Sequence, residues 1–191
     1  MIKDVNIGIA LTGSFCTIQD TITQIENIKN EGANITIIVS EHVKSMDTRF
    51  GKASDIIKKL EDISEKKVIA SITEAERIGP KKLFEIMLIA PCTGNTMAKL
   101  ANSIIDTTVT MSAKAHLRNI RPLVLSIATN DGLGNSAMNI AKLIHIINLF
   151  FVPFGQDDHE KKPNSLVAKS NLIIPTLKEA LNGNQIQPIL V

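Results

Sequence analysis

The stretch Ile86–Thr96, IMLIAPCTGNT, decides how this chain is read. Ile86 to Ala90 is an unbroken apolar run, the pattern of a strand buried on both faces. Pro91 has no N–H to give to a sheet ladder and is expected to end the strand there. Cys92, Thr93, Gly94, Asn95 and Thr96 are small or polar, and Met97, Ala98, Leu100 and Ala101 then begin a helical pattern. A buried strand, a tight polar loop and a helix start bring hydroxyls, amides and backbone N–H groups together. In an open parallel α/β sheet that place is the carboxyl end of the strands, where ligands bind. The competing reading is a plain joint with Thr93 or Asn95 as a helix N-cap.

The same unit recurs on both sides of this stretch. Val5–Leu11 reads as a central strand that breaks at Thr12, Gly13 and Ser14. A helix follows with Ile18, Ile22, Ile25 and Ile28 at helical spacing, ending at Gly32. Asn34–Ser40 is a β-branched strand that leaves the Ser40 hydroxyl at its end. Glu41–Lys52 has no period and reads as a loop, Ala53–Ser64 as a helix, and Lys67–Ile72 as a short strand before an irregular connector. Beyond Thr96 come a second helical segment over Asp106–Arg118 and a buried strand over Pro122–Ala128 that carries Ser126 and opens at Thr129. An amphipathic helix over Asn135–Asn148 is expected to turn Ala137, Ile140, Ala141, Ile144 and Ile147 inward. Leu149–Phe154 is an edge strand because of Pro153, Gly155–Ser165 a polar loop, and Leu172–Leu181 a terminal helix.

Strands alternating with helices predict an α/β protein with a doubly wound, mainly parallel sheet of about six strands, a flavodoxin-like or Rossmann-like three-layer sandwich. The 191 residues are read as one domain, 1–191, with the loop and helix of 155–191 as an extension for substrate or partner. Hydrophobic residues make up 44% and charged residues 21% of the chain, which fits a compact core. Aromatic content is 3% with no Trp or Tyr, and net charge is +2, so base stacking and phosphate neutralisation are poorly served and nucleic acid is disfavoured. No apolar run is long enough to span a bilayer, the N-terminus makes a poor signal peptide, and two distant cysteines fit reduced thiols, so a cytoplasmic location is expected. The four histidines lack metal-ligand spacing, and no metal is expected.

Thr12-Gly13-Ser14, Ser40, Thr93 to Thr96, and Ser126 to Asn130 all fall on one rim of such a sheet, which points to a phosphate-bearing cofactor. The dinucleotide fingerprint G-x-G-x-x-G and the Walker pattern are both absent. A monophosphate on a doubly wound sheet without that fingerprint points to FMN. The cofactor-binding candidates are Thr12, Gly13, Ser14, Ser40, Pro91, Thr93, Gly94, Asn95, Thr96, Ser126 and Thr129.

Thr12-Gly13-Ser14, Ser40 and Pro91-Cys92-Thr93-Gly94-Asn95-Thr96, with Ala98 and Ala101, resemble the FMN-binding flavoprotein family, which includes phosphopantothenoylcysteine and lantibiotic-precursor decarboxylases and flavin prenyltransferases. Pro91 to Thr96 is a hybrid of the Pro-Ala-Ser-Ala-Asn-Thr and Pro-Cys-Ser-Met-Lys-Thr loops that clasp flavin in that family. The chain departs from the decarboxylases in having no His in Ile72–Arg77, and from the prenyltransferases in having Asn95 where they carry Lys. Asn130–Asn135, Ala137–Ile140, Phe151–Asp158 and Lys161–Leu166 are similar, nearly end to end, to one branch of the family. That branch serves bacterial spore formation as the flavoprotein-like half of a two-subunit enzyme making pyridine-2,6-dicarboxylate. The resemblance implies oxidation of a dihydro or tetrahydro precursor alongside the enzyme's other half, a Rossmann protein carrying NADP. It also implies a homo-oligomer, a trimer or dodecamer. Met138 and Asn139 resemble a Met-Asn pair that contacts a substrate carboxylate. Gln156, Lys161 and Lys162 are further candidates for a dicarboxylate, whose charge calls for cations. Asp157 and Asp158 are the candidate proton acceptors. An FMN-dependent decarboxylase of a small carboxylic acid and a non-catalytic scaffold protein are the alternatives.

Overall fold

The computed structural model describes residues 1–191. Its strands are β1 (Asn6–Leu11), β2 (Asn34–Val39), β3 (Ile86–Thr93), β4 (Leu123–Thr129), β5 (Leu149–Phe151), β6 (Phe154–Gln156) and β7 (Leu166–Ala168). The helices are α1 (Ile18–Asn30), α2 (Glu41–Ser45), α3 (Ala53–Ser64), α4 (Ile72–Ala75), α5 (Ile78–Lys81), α6 (Gly94–Ala101), α7 (Thr108–Leu117), α8 (Ala137–Ile144) and α9 (Ile173–Leu181). The seven strands form one sheet, one more than the sequence suggested, in the order β2-β1-β3-β4-β7-β6 with β5 also on β4. Its parallel part, β2-β1-β3-β4-β5, is the flavodoxin-like order, and the chain reverses direction across the sheet between β1 and β3. α1 packs with α9, and α6 packs with α7 and α8, so the sheet is covered on both faces.

Coverage on both faces explains the continuous apolar runs. Ile7, Ile9, Ala10 and Leu11, and all of Ile86 to Ala90, are buried in a single core. The outer edge of β4 is divided. Its first half pairs in parallel with β5, Leu123↔Leu149 to Leu125↔Phe151. Its end pairs antiparallel with β7, Ala128↔Val167 and Thr129↔Leu166.

Several elements differ from their sequence reading. β3 runs through Pro91 to Thr93, because the register slips between Ile89 and Cys92 and sets one extra residue of β3 against β4. A bulge tolerates a residue without an N–H. Lys67–Ile72 supplies only one bridge, Ile38↔Ile69, because the Ser71 hydroxyl then caps α4 and turns the chain away. Glu41–Lys52 is not wholly loop, since Ser40 caps the short α2, too brief to leave a period. The predicted edge strand splits at Val152 and Pro153 into β5 and β6, and β7, at three residues, is too short to leave a pattern. α8 ends at Ile144, and Ala141, Ile144 and Ile147, all expected inward, are exposed, Ile147 at 83%. No helix is long and apolar enough to cross a membrane.

His116 on α7 is buried, with Nε2 2.9 Å from the Pro122 carbonyl oxygen. Burial, aided by the charge of Arg121 and opposed by the Pro122 hydrogen bond, holds its imidazole below the usual histidine range. Below about pH 6.5 the unfolded chain therefore takes up the proton first, and stability falls with pH until the folded-state pKa is reached. His116→Gln is expected to flatten this loss, read as denaturant midpoints compared between about pH 7 and pH 5.

Candidate functional site

The site is built where the carboxyl ends of β1, β3 and β4 come together. Thr12, at the end of β1, is 2% exposed. Its hydroxyl donates to the Pro91 carbonyl at 2.7 Å and accepts from the Thr93 N–H at 3.1 Å. It thereby satisfies a backbone group within the β3 bulge and one just beyond it, and locks two strand ends together. Thr93 caps α6, its Oγ1 accepting from the Thr96 N–H at 3.3 Å.

Beyond these ends opens a cleft of about 1040 Å³. Gly13, Ser14 and Thr17 form its wall after β1, Thr93, Gly94 and Asn95 its wall after β3, and Thr129 with Asn130 its wall after β4. Asn139 of α8 and Asp157 and Lys162 of the loop after β6 also line it.

Other expected residues stand outside the lining. Thr12 is the buried tie just described, Ser40 the buried cap of α2, and Thr96 and Pro91 are buried behind the β3–α6 loop. Ser126 is buried within β4. Met138 is 68% exposed away from the cleft. Gln156 Nε2 donates to the Pro163 carbonyl at 2.8 Å, and Asp158 Oδ1 accepts from the Glu160 and Lys161 N–H groups, so these side chains shape the loop and not the cleft, and the Lys161 side chain stands outside the lining as well. The structure adds lining residues that sequence reading missed: Asp20, Arg49, Phe50, Asp131 and Ser136. Arg49 and Phe50 lie in a segment with no periodicity, which offered no signal.

The electrostatics are mixed. Asp131 Oδ1 accepts from Thr129 Oγ1 at 2.5 Å and from Ser136 Oγ at 2.8 Å. These bonds hold its carboxyl below the usual range and keep it ionised. Lys162 Nζ lies 2.8 Å from Asp157 Oδ2, which holds the ammonium above the usual lysine range. Burial pushes the Cys92 thiol up and leaves it inert, whereas Cys16 stands at the cleft mouth.

A flavin mononucleotide fits this donor set. The Gly13 and Asn130 N–H groups have no partner within the chain. Ser14 offers a hydroxyl beside Gly13, oriented by the Thr17 hydroxyl that donates to it at 3.1 Å, as an anion at a helix entry requires. A Cβ at Gly94 would stand 2.7 Å from Thr129 Oγ1, so only glycine lets the β3 and β4 loops close the floor between them.

This combination of switch-point cleft and fold defines a ligand-binding class of doubly wound α/β proteins, and the chain belongs to the flavoprotein family, matching it over residues 1–153. It is 50% identical over 190 residues to the B subunit of dipicolinate synthase from Bacillus subtilis (strain 168), covering 100% of this chain and 95% of that protein. The solved structure of the dipicolinate synthase B subunit from Bacillus halodurans C superposes with a TM-score of 0.91 at 43% identity, covering 100% of this chain and 97% of that one. The FMN-dependent cysteine decarboxylase SpaF shares the fold, with a TM-score of 0.62 at 13% identity over 91% of this chain and 96% of its own.

Thr12→Val keeps the shape of the side chain and removes both hydrogen bonds across the bulge. Two backbone groups are left without partners, and a loss of about 1–3 kcal/mol is expected, measured by urea denaturation.

Proposed function

We propose that the chain binds FMN in this cleft and acts as the B subunit of a dipicolinate synthase, an oxidoreductase that aromatises a dihydro precursor of pyridine-2,6-dicarboxylate together with the synthase's A subunit. The observation that carries this reading is the meeting of three strand-end loops, with free N–H groups at Gly13 and Asn130, in one cleft of about 1040 Å³. Kinship to the dipicolinate synthase B subunit along the whole chain supports the choice of substrate.

In this reading Gly13, Ser14 and Thr17 receive the phosphate, and Thr93, Gly94 and Asn95 the polar edge of the ring system. FMN, when bound, supplies a two-electron acceptor for a ring hydride. Aromatisation of the dihydro ring also releases one proton. Of the two candidate acids, Asp157 faces the cleft and Asp158 is engaged in its own turn, so a carboxylate oxygen of Asp157 takes that proton. Lys162 neutralises Asp157 and meets a substrate carboxylate, with Asn139 beside it. NADP on the Rossmann partner is the final acceptor. The segment 155–191, which contributes Asp157 and Lys162, is the part of the single domain given over to substrate and partner. The exposed Met138, Ile144, Ile146 and Ile147 on and after α8 support assembly into a homo-oligomer.

The purified chain is expected to be yellow, or to become so on incubation with FMN, with a bound-flavin spectrum. A colourless protein that takes up no FMN overturns the reading. With the Rossmann partner present, dipicolinate formation is expected to depend on this chain. Asp157→Asn should lower its rate about 10²–10⁴-fold while flavin content stays unchanged.

A further inference from the structure

One wall of the cleft is a short turn between α2 and α3 to which the proposed function gives no role. Thr48 and Gly51 exchange backbone hydrogen bonds of 3.0 and 3.1 Å, and the Phe50 N–H donates to Thr48 Oγ1 at 3.1 Å. Asp47 Oδ1 accepts from the Ala53 N–H at 2.9 Å and anchors the turn to the start of α3. The tip residues Arg49 and Phe50 line the cleft. The Arg49 guanidinium carbon lies 4.8 Å from the centroid of the Phe50 ring.

Arg49 enters no ion pair, whereas the cleft's other cation, Lys162, is held by Asp157. A guanidinium lying over an aromatic ring keeps N–H groups at its edge free for two parallel bonds to a carboxylate. The closed turn restrains the backbone and the ring restrains the side chain, so part of the ordering cost is met before any ligand arrives.

We infer that Arg49 is a specificity-determining residue that grips one carboxylate of a planar dicarboxylate, with Phe50 against the ring. This rests on the proposed function and adds a second anchor to it. Lys162 meets one carboxylate and Arg49 the other, which selects two acid groups held at a fixed separation on a flat ring. The cofactor phosphate, the other anion a guanidinium would take, is assigned to Gly13, Ser14 and Thr17.

The test uses the FMN-loaded full chain in metal-free buffer, titrated by calorimetry with pyridine-2,6-dicarboxylate and with pyridine-2-carboxylate. The unaltered chain is expected to prefer the dicarboxylate. Arg49→Ala is expected to bind it about tenfold to a hundredfold more weakly. Its affinity for the monocarboxylate should change little, so that the preference collapses, and its FMN content should stay the same. Equal dicarboxylate binding by R49A and the unaltered chain overturns the inference while leaving the proposed function standing. Loss of FMN in R49A assigns the guanidinium to the cofactor and overturns it too. An unaltered, FMN-loaded chain that binds neither acid overturns the proposed function and this inference together.

Discussion

The site depends on the hydroxyl of Thr12. It sits at the reversal point of the sheet and bonds to the Pro91 carbonyl, within the irregularity in β3, and to the Thr93 N–H just beyond it. A proline inside a central strand breaks the ladder, and the bulge there leaves backbone groups that need partners in a dry interior. Thr12 supplies them from the neighbouring strand. The result is that the β1 and β3 ends cannot move independently, and the loops after them open into one cleft. The candidate that reads most naturally as a ligand contact thus serves as the joint holding the contacts in place.

The cleft spreads its charges, the three carboxylates of Asp20, Asp131 and Asp157 and the two cations Arg49 and Lys162, without concentrating either sign. Asp131 is fixed by two hydroxyls and Asp157 by Lys162, leaving Arg49 as the cation without an anionic partner. Such a surface suits a ligand whose anionic groups are few and spaced, and would hold a polyanion poorly. The neutral donors, Gly13, Ser14, Thr17 and Asn130, cluster on the walls after β1 and β4.

The end of the chain completes the sheet. The Phe154 N–H donates to the Ile189 carbonyl at 3.0 Å and the Val191 N–H to the Phe154 carbonyl at 3.1 Å. The Gln185 side chain bonds both the N–H and the carbonyl of Phe151, at 2.7 and 2.8 Å, in place of a further strand. An edge that would otherwise template pairing with another chain is closed. The same segment steadies β6, from which the loop bearing Asp157 and Lys162 departs.

Burial dominates the sequence, so the architecture was legible there. Apolar runs ending in Thr12, Ser40, Thr93 and Thr129, separated by stretches at helical spacing, are what a sheet covered on both faces imposes on a chain. Helix α3 falls at its expected bounds for that reason. Local patterns could not decide register or direction. Whether Thr12 faces a ligand or the strand beside it depends on how β1 and β3 align. Whether Ile147 is inside depends on where α8 stops, and whether Asp157 or Asp158 enters the cleft depends on a loop pinned by β7, which is only three residues long. Arg49 and Phe50 reach the site through a turn with no periodicity at all. The chain's own pattern determined which strands are buried and in what kind of layer. Only the tertiary structure decided which polar groups meet, because hydrogen-bond partners 79 or 81 residues apart are set by strand order and not by spacing.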